Sequence, residues 1–326
     1  MMIPTIRLGA GPAVSRVALG CMSMSGVYGD SDEAESIATI HAALDRGVTL
    51  LDTGDFYGSG RNEMLIGRAL RDRRDRALLS VKFGMLRGPD GAFLVPDCRP
   101  AAVKSALAYT LARLGVDHID IYRPARLDPA VPIEDTIGAI AELVKAGYVR
   151  AIGLSEVGPD TIRRAHAVHP ICDLQIEYSL ISRGPEDRIF PLLAELGIAV
   201  TAYGVLSRGL LTGARPGARD MRAHLPRFSG ENRERNQRLV AALGQIAAAR
   251  GVRPAQLAFA WVLAKGDSIV PLIGARTRAQ LEESLGGLAI ALSAAELAEI
   301  EQAVPASEVA GTRYPAQQMQ HLDSER

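Results

Sequence analysis

Sulfur chemistry has little to work with in this chain of 326 residues. Cys21, Cys98 and Cys172 are its only cysteines, far apart and without a CxxC pair. That count suits reduced thiols better than a disulfide frame or a zinc site. The six histidines show no HExxH or other ligand spacing, so no metal is assigned. A surplus of one charge is also missing: 37 Lys+Arg balance 37 Asp+Glu, unlike a general nucleic-acid binder with its basic excess. No apolar run approaches the ~18 residues of a membrane-spanning helix. The opening MMIPTIRLGAG lacks a basic stretch followed by an apolar one. The expectation is a cytoplasmic protein that binds neither nucleic acid nor membrane. Neither GxGxxG after the first strand nor a P-loop occurs, and no low-complexity segment or linker divides the chain.

What the chain does have is hydrophobic residues, 48% of the total, enough for a large core. They fall into eight short runs: Val17–Gly20, Val48–Leu51, Ala77–Lys82, Ile119–Tyr122, Arg150–Leu154, Asp173–Ile176, Ile198–Ala202 and Ser268–Leu272. Runs rich in Val, Ile and Leu, apolar almost throughout, are expected of parallel strands buried on both faces. A hairpin of Thr5–Leu8 and Val14–Val17 precedes them. Between the strands lie helical stripes such as Val103, Leu107, Leu111 and Leu114. Asp32 suits the first helix as a cap and Pro100 opens the third. Gly47, Gly115, Gly147 and Gly197 stand where helices should stop. Eight βα units match a (β/α)8 barrel of about 250 residues or more; a doubly wound sheet is the competitor. The barrel is expected to carry two extra helices, and residues 206–265, between the last two strands, hold two helical patterns and a polar loop near Arg215–Arg235. The reading is one domain over 1–326, with 305–326 as a flap over the barrel mouth or a loose tail.

Chemistry in such a barrel belongs at the C-terminal ends of the strands. There the sequence places Asp52 and Tyr57, Lys82, Ser155, Gln175, and Tyr203. An Asp and a Lys facing one another in a cavity should pair, because an isolated buried charge is costly. A phenol within reach of that ammonium should titrate below its ordinary value near ~10. Such a group exchanges protons near neutral pH and suits reduction of a carbonyl, whose oxygen takes a proton as its carbon takes hydride.

At these residues the chain resembles the aldo-keto reductase superfamily, in particular its bacterial branch. The most specific segment is LDTGDFYGSGRNEMLIGRAL, Leu51–Leu70. LSVKFG around Lys82, LGVDHIDIY, LVKAGYVRAIGLSE over Leu143–Glu156, LQIEYSL around Gln175, AYGVLSRGLLTG over Ala202–Gly213 and PLIGARTRAQLEESL over Pro271–Leu285 complete seven colinear segments. The resemblance implies Asp52, Tyr57 and Lys82 as catalytic residues. The family's fourth, a His, is replaced: Tyr122-Arg123-Pro124-Ala125 puts Ala125 in its place. Arg126 is a poor substitute, since adjacent strand residues face opposite ways.

The resemblance further implies NADPH bound in extended form across the mouth. Ser155 and Gln175 match the residues holding the nicotinamide carboxamide, Tyr203 the aromatic stacked on the ring, and Leu206, Ser207 and Arg208 the pyrophosphate loop. Gly274, Ala275, Arg276, Gln280, Glu283 and Ser284 match the adenosine-phosphate segment, where Arg276 and Arg278 could clamp a 2′-phosphate. Glu156 replaces a frequent Asn, and Ser284 the usual terminal Asn. Tyr28, Phe56, Met85, Arg123 and Ala125 are assigned to the substrate pocket, with core packing as the plainer role. Alone, Asp52 could equally be a helix cap, Lys82 a solvated strand end, Tyr57 a half-buried aromatic, and the two arginines a solvated helix start. The reading that follows is an NADP-dependent reductase of a small-molecule aldehyde, ketone or keto-sugar, weakened or specialised by Ala125. The alternative is an NADP(H)-binding sensor or partner subunit with little catalysis.

Overall fold

The computed structural model describes residues 3–214, 216 and 220–326. The N-terminal hairpin pairs β1 (Thr5–Arg7) with β2 (Ala13–Ser15). Eight further strands close a parallel barrel: β3 (Ala18–Gly20), β4 (Leu50–Gly54), β5 (Leu78–Phe83), β8 (Ile119–Pro124), β9 (Val149–Ser155), β10 (Ile171–Glu177), β11 (Ala199–Tyr203) and β12 (Ile269–Gly274). Each expected run supplies one strand, so the (β/α)8 barrel stands and the doubly wound sheet does not. The strands numbered β6 (Met85–Arg87) and β7 (Phe93–Pro96) form a second hairpin beyond Lys82, which the hydrophobic pattern does not announce. Its Phe93, Leu94 and Val95 are exposed, so they leave no one-sided alternation to read.

Eleven helices are described: α1 (Glu33–Asp45), α2 (Arg61–Ala69), α3 (Pro100–Leu114), α4 (Ile133–Lys145), α5 (Pro159–Val168), α6 (Pro185–Leu196), α7 (Gly230–Ala249), α8 (Pro254–Ala264), α9 (Arg278–Leu285), α10 (Ala294–Ala303) and α11 (Ala316–Met319). Local chemistry sets their ends. The Asp32 carboxylate accepts from the Glu35 amide at 2.7 Å, Pro100 opens α3, and Gly115 and Gly197 close α3 and α6 at φ of +67°, a conformation that favours glycine. The two helical patterns expected between the last two strands are α7 and α8; α8 packs on β12 as the crossover helix, and α7 is additional to the eight units. The expected polar loop is shorter than drawn, because α7 already begins at Gly230; Arg215, Gly217, Ala218 and Arg219 of that loop lie outside the described residues. Among the described residues no helix is long and apolar enough to cross a membrane.

The hairpin plugs the bottom of the barrel, where Gly9 and Gly11 approach Cys172 too closely for a side chain. All three cysteines are free and buried: Cys172 at this floor, Cys21 just after β3 beside Asp52, and Cys98 where the β6–β7 hairpin returns to α3.

The barrel interior is not uniformly apolar. Arg123 and Asp173, both 0% exposed, pair at 2.9 Å. Arg123 also donates to Ser80 Oγ at 3.0 Å, and Ser80 Oγ donates to Asp52 at 2.9 Å. Thr201 donates to Asp173 from the other side. Gly153 is needed beside the pair, since a Cβ there would meet Asp173 at 2.6 Å and Arg123 at 3.0 Å. Two acids and two bases, Asp52, Asp173, Lys82 and Arg123, thus form a neutral, hydrogen-bonded layer beneath the mouth, as buried charges require.

Candidate active site

Strand register brings the candidate residues to one end of the barrel. Asp52 pairs across to Ser80 and Gly54 to Lys82, so the Asp52 carboxylate and the Lys82 ammonium meet over β4 and β5. Their hydrogen bond is buried, with each side chain about 5% exposed or less. The second carboxylate oxygen accepts from Ser80 Oγ and, at 2.8 Å, from Gln175 Nε2. Burial pulls the Lys82 pKa down, and the Asp52 charge offsets this only in part.

Tyr57 follows on the loop between β4 and α2, half-buried. Its ring meets the edge of Phe56 with centroids 4.8 Å apart, and Lys82 Nζ lies 5.1 Å from its centroid. The ammonium therefore approaches the ring face, while its hydrogen bond goes to Asp52. The direction of the Tyr57 pKa is the reverse of the expectation. Burial, followed by the Asp52 charge, raises it well above the ordinary phenol value. The phenol is held protonated.

Ala125 is buried, and its amide donates to the Phe83 carbonyl at 2.8 Å. Arg123 does not line the substrate pocket: its position in β8 points it into the barrel, where Asp173 neutralises it. Arg126 lies beyond the strand. Strand alternation does not set its direction, because β8 ends at Pro124 and the chain bends at 125–126. Its charge reaches Tyr203, Tyr314 and Glu156, and also Tyr57.

Ser155 and Gln175 are buried at the tops of β9 and β10. With Nε2 given to Asp52, Gln175 keeps its carbonyl oxygen for an amide donor, which fits a carboxamide. Leu206, Ser207 and Arg208 form a tight loop after β11, with φ of +48° at Ser207 and +56° at Arg208. Ser207 Oγ lies 2.9 Å from Ser179 Oγ, and Arg208 pairs with Glu177 at 2.9 Å. At the end of β12, Gly274 is exposed, and Ala275 just past it is buried. Arg276, whose amide donates to Gln280, also donates to the carbonyl of Tyr28 at 3.0 Å. Arg278 grips Glu35 through two nitrogens. Two guanidinium groups beside the first turn of α9, capped by Thr277, make a donor set suited to a phosphate. Glu283 faces Arg253 at 3.4 Å, and Ser284 is buried. Phe56 touches both Tyr57 and, at 6.1 Å, Phe93 of the hairpin that also holds Met85.

Residues 305–326 fold over this end. Arg313, 7% exposed, binds both oxygens of the fully buried Glu156 at 2.9 and 2.8 Å. Ser324 Oγ donates to the same carboxylate at 2.6 Å, and Asp323 accepts from the Gly158 amide at 2.8 Å. Tyr203 OH donates to Glu156 at 2.7 Å and sits 3.2 Å from Tyr314 OH. The aperiodic polar tail gives no hint of these contacts; the one sequence signal is an acid, Glu156, where the resemblance implies Asn. Burial works against the Glu156 charge, but the Arg313 hydrogen bonds and charge outweigh it and hold the carboxyl down at about 2. A folded-state pKa below the unfolded value near 4.5 stabilises the fold above that value and ceases to do so as pH falls toward about 2. Amide hydrogen-exchange protection across 311–326 should therefore decline over pH 4.5 to 2 ahead of the barrel strands. Uniform loss over tail and strands would contradict this.

The sequence model of the Aldo/keto reductase family matches residues 16–305. A probable aldo-keto reductase 1 of Glycine max is 42% identical over 322 residues, covering 96% of this chain and 92% of that protein. The protein named aldo-keto reductase yakc [NADP(+)] of Schizosaccharomyces pombe is 39% identical over 325 residues, covering 97% and 95%. Among solved structures, a glycerol dehydrogenase of Gluconobacter oxydans superposes with a TM-score of 0.85 at 30% identity, covering 96% of this chain and 98% of that one. An aldo-keto reductase of Klebsiella pneumoniae in complex with NADPH gives 0.74 at 26%, covering 94% and 96%. A match that runs from before the first barrel strand to beyond α10, joined to relatives alike over nearly their whole length, makes this chain a member of the aldo/keto reductase family.

Proposed function

We propose that the protein is an NADPH-dependent reductase of an aldehyde, ketone or keto-sugar, acting as one domain with 305–326 as its flap. The observation that carries this is the buried Asp52–Lys82 pair set beside Tyr57 at the C-terminal end of the barrel strands. Bound NADPH would supply the hydride that the substrate carbon receives. Ser155 and Gln175 would hold the carboxamide and Tyr203 the ring. Leu206, Ser207 and Arg208 would hold the pyrophosphate, and the Gly274–Ser284 segment, with Arg276 and Arg278, the adenosine phosphate.

Tyr57 donates its hydroxyl proton to the substrate oxygen. A phenol held protonated by burial is in the correct state for that donation. The phenolate left behind has Lys82 Nζ over its ring, held in place by Asp52. Gln175 and Ser80 hold the Asp52 carboxylate in turn. Ala125 supplies no imidazole, so a general acid–base partner typically worth about 10²–10⁴-fold is missing from its usual position. Modest turnover on ordinary aldehydes follows.

Single-turnover mixing of the NADPH-loaded protein with a panel of aldehydes, ketones and keto-sugars should show loss of dihydronicotinamide absorbance with at least one. Tight NADPH binding with no oxidation by any member would replace this reading with that of a sensor or partner subunit, the role the vacant imidazole position would favour.

A further inference from the structure

The cations at the barrel mouth are mostly matched to acids. Lys82 meets Asp52, Arg208 meets Glu177 at 2.9 Å, Arg227 meets Glu177 at 3.5 Å and Arg313 meets Glu156 at 2.8 Å. Arg126 differs. It is half-buried, and no carboxylate of a described residue lies within 4 Å of it. Its one hydrogen bond as a donor runs from Nη1 to the carbonyl of its own neighbour, Ala125, at 2.7 Å. A guanidinium carries five N–H donors in a fork that matches a carboxylate, and a cation withdrawn from water without a counter-charge is costly.

The segment carrying this group is fixed. The Ala125 amide is tied to Phe83, the Arg126 carbonyl receives Cys98 Sγ at 3.7 Å, and Asp128 accepts from the Cys98 amide at 3.0 Å. Ala125 itself is buried and ends at Cβ. Of the three phenols, Tyr203 and Tyr314 feel the Arg126 charge most, and Tyr57 feels it behind Asp52 and Tyr28. Arg126 follows the end of β8 at Pro124, so it belongs to the C-terminal rim of the barrel that also carries Tyr57 and Tyr203.

We propose that Arg126 is a specificity-determining residue that binds a carboxylate on the substrate, so that the preferred substrates are formyl or oxo acids. This rests on the reductase reading above and names its substrate class. The short side chain of Ala125 and the unmatched guanidinium then belong to one device: no imidazole stands against the body of the acid, and Arg126 neutralises its charge.

The test pairs 2-, 3- and 4-formylbenzoate each with its own carboxamide. In the unmodified protein with NADPH, at least one acid should exceed its amide in kcat/KM by about 10- to 100-fold, the worth of a charge-assisted pair, with the difference in KM. In Arg126→Met that ratio should collapse toward one, and Arg126→Lys should restore part of it. Calorimetric titration of the same compounds into NADPH-loaded Tyr57→Phe protein reads binding without turnover. Acid binding there that is lost in the Tyr57→Phe, Arg126→Met double variant supports the anion site even if no aldehyde is reduced, which would overturn only the reductase reading. No acid preferred over its amide, or equal losses for acid and amide in Arg126→Met, would overturn the proposal.

Discussion

Replacing Tyr57 by Phe is expected to lower the rate of carbonyl-dependent NADPH oxidation by about 10²–10⁴-fold, the range of a lost general acid, while NADPH affinity changes less than about threefold. The substitution keeps the ring, its edge contact with Phe56 and its face toward the Lys82 ammonium, and removes only the hydroxyl. A structural role for Tyr57 would move thermal stability and cofactor affinity with the rate; a chemical role moves the rate alone. Stopped-flow oxidation and a fluorescence titration with NADPH separate them. Oxidation at the unmodified rate would remove Tyr57 from the mechanism and leave the buried pair beneath it without a catalytic purpose.

The largest effect on stability is expected from Arg123→Leu. The guanidinium is completely enclosed and its loss strands the equally enclosed Asp173, whose remaining donors are the Thr201 hydroxyl and the Cys172 thiol. Breaking a buried ion pair from one side costs about 3–5 kcal/mol, a large part of the stability of a typical domain. The double variant Arg123→Leu, Asp173→Leu should recover much of that loss, because the cost comes from the stranded charge more than from the missing attraction. Urea unfolding of the two single variants and the double variant gives the comparison. A double variant no more stable than Arg123→Leu would show that the layer is held by packing rather than by charge balance.

The eight barrel strands could be read from the sequence because a parallel strand buried on both faces is nearly continuous in Val, Ile and Leu. The polar residues ending those runs, Asp52, Lys82, Ser155, Gln175 and Tyr203, then announced the mouth. Less could be read where the arrangement depends on distance in space. Arg123, expected in the substrate pocket, is enclosed in the barrel with Asp173; alternation holds to the end of β8 at Pro124 and says nothing of the bend that carries Arg126. The Tyr57 phenol is raised above its ordinary range by desolvation and then by the Asp52 charge, neither of which a local pattern encodes. Arg313 lies 157 residues from Glu156 in a segment with no periodicity, so nothing local connected them.

Burial of the thiols has a use of its own. Cys98 is pushed up to about 12, with burial as the main cause, and Cys21 and Cys172 rise further for the same reason. None offers a thiolate to an alkylating dye while its surroundings stay shut. The three sit at the floor, under the mouth and beside the outer hairpin, so they act as separately placed seals. The order in which a dye marks them on slow warming would tell which end of the molecule gives way first.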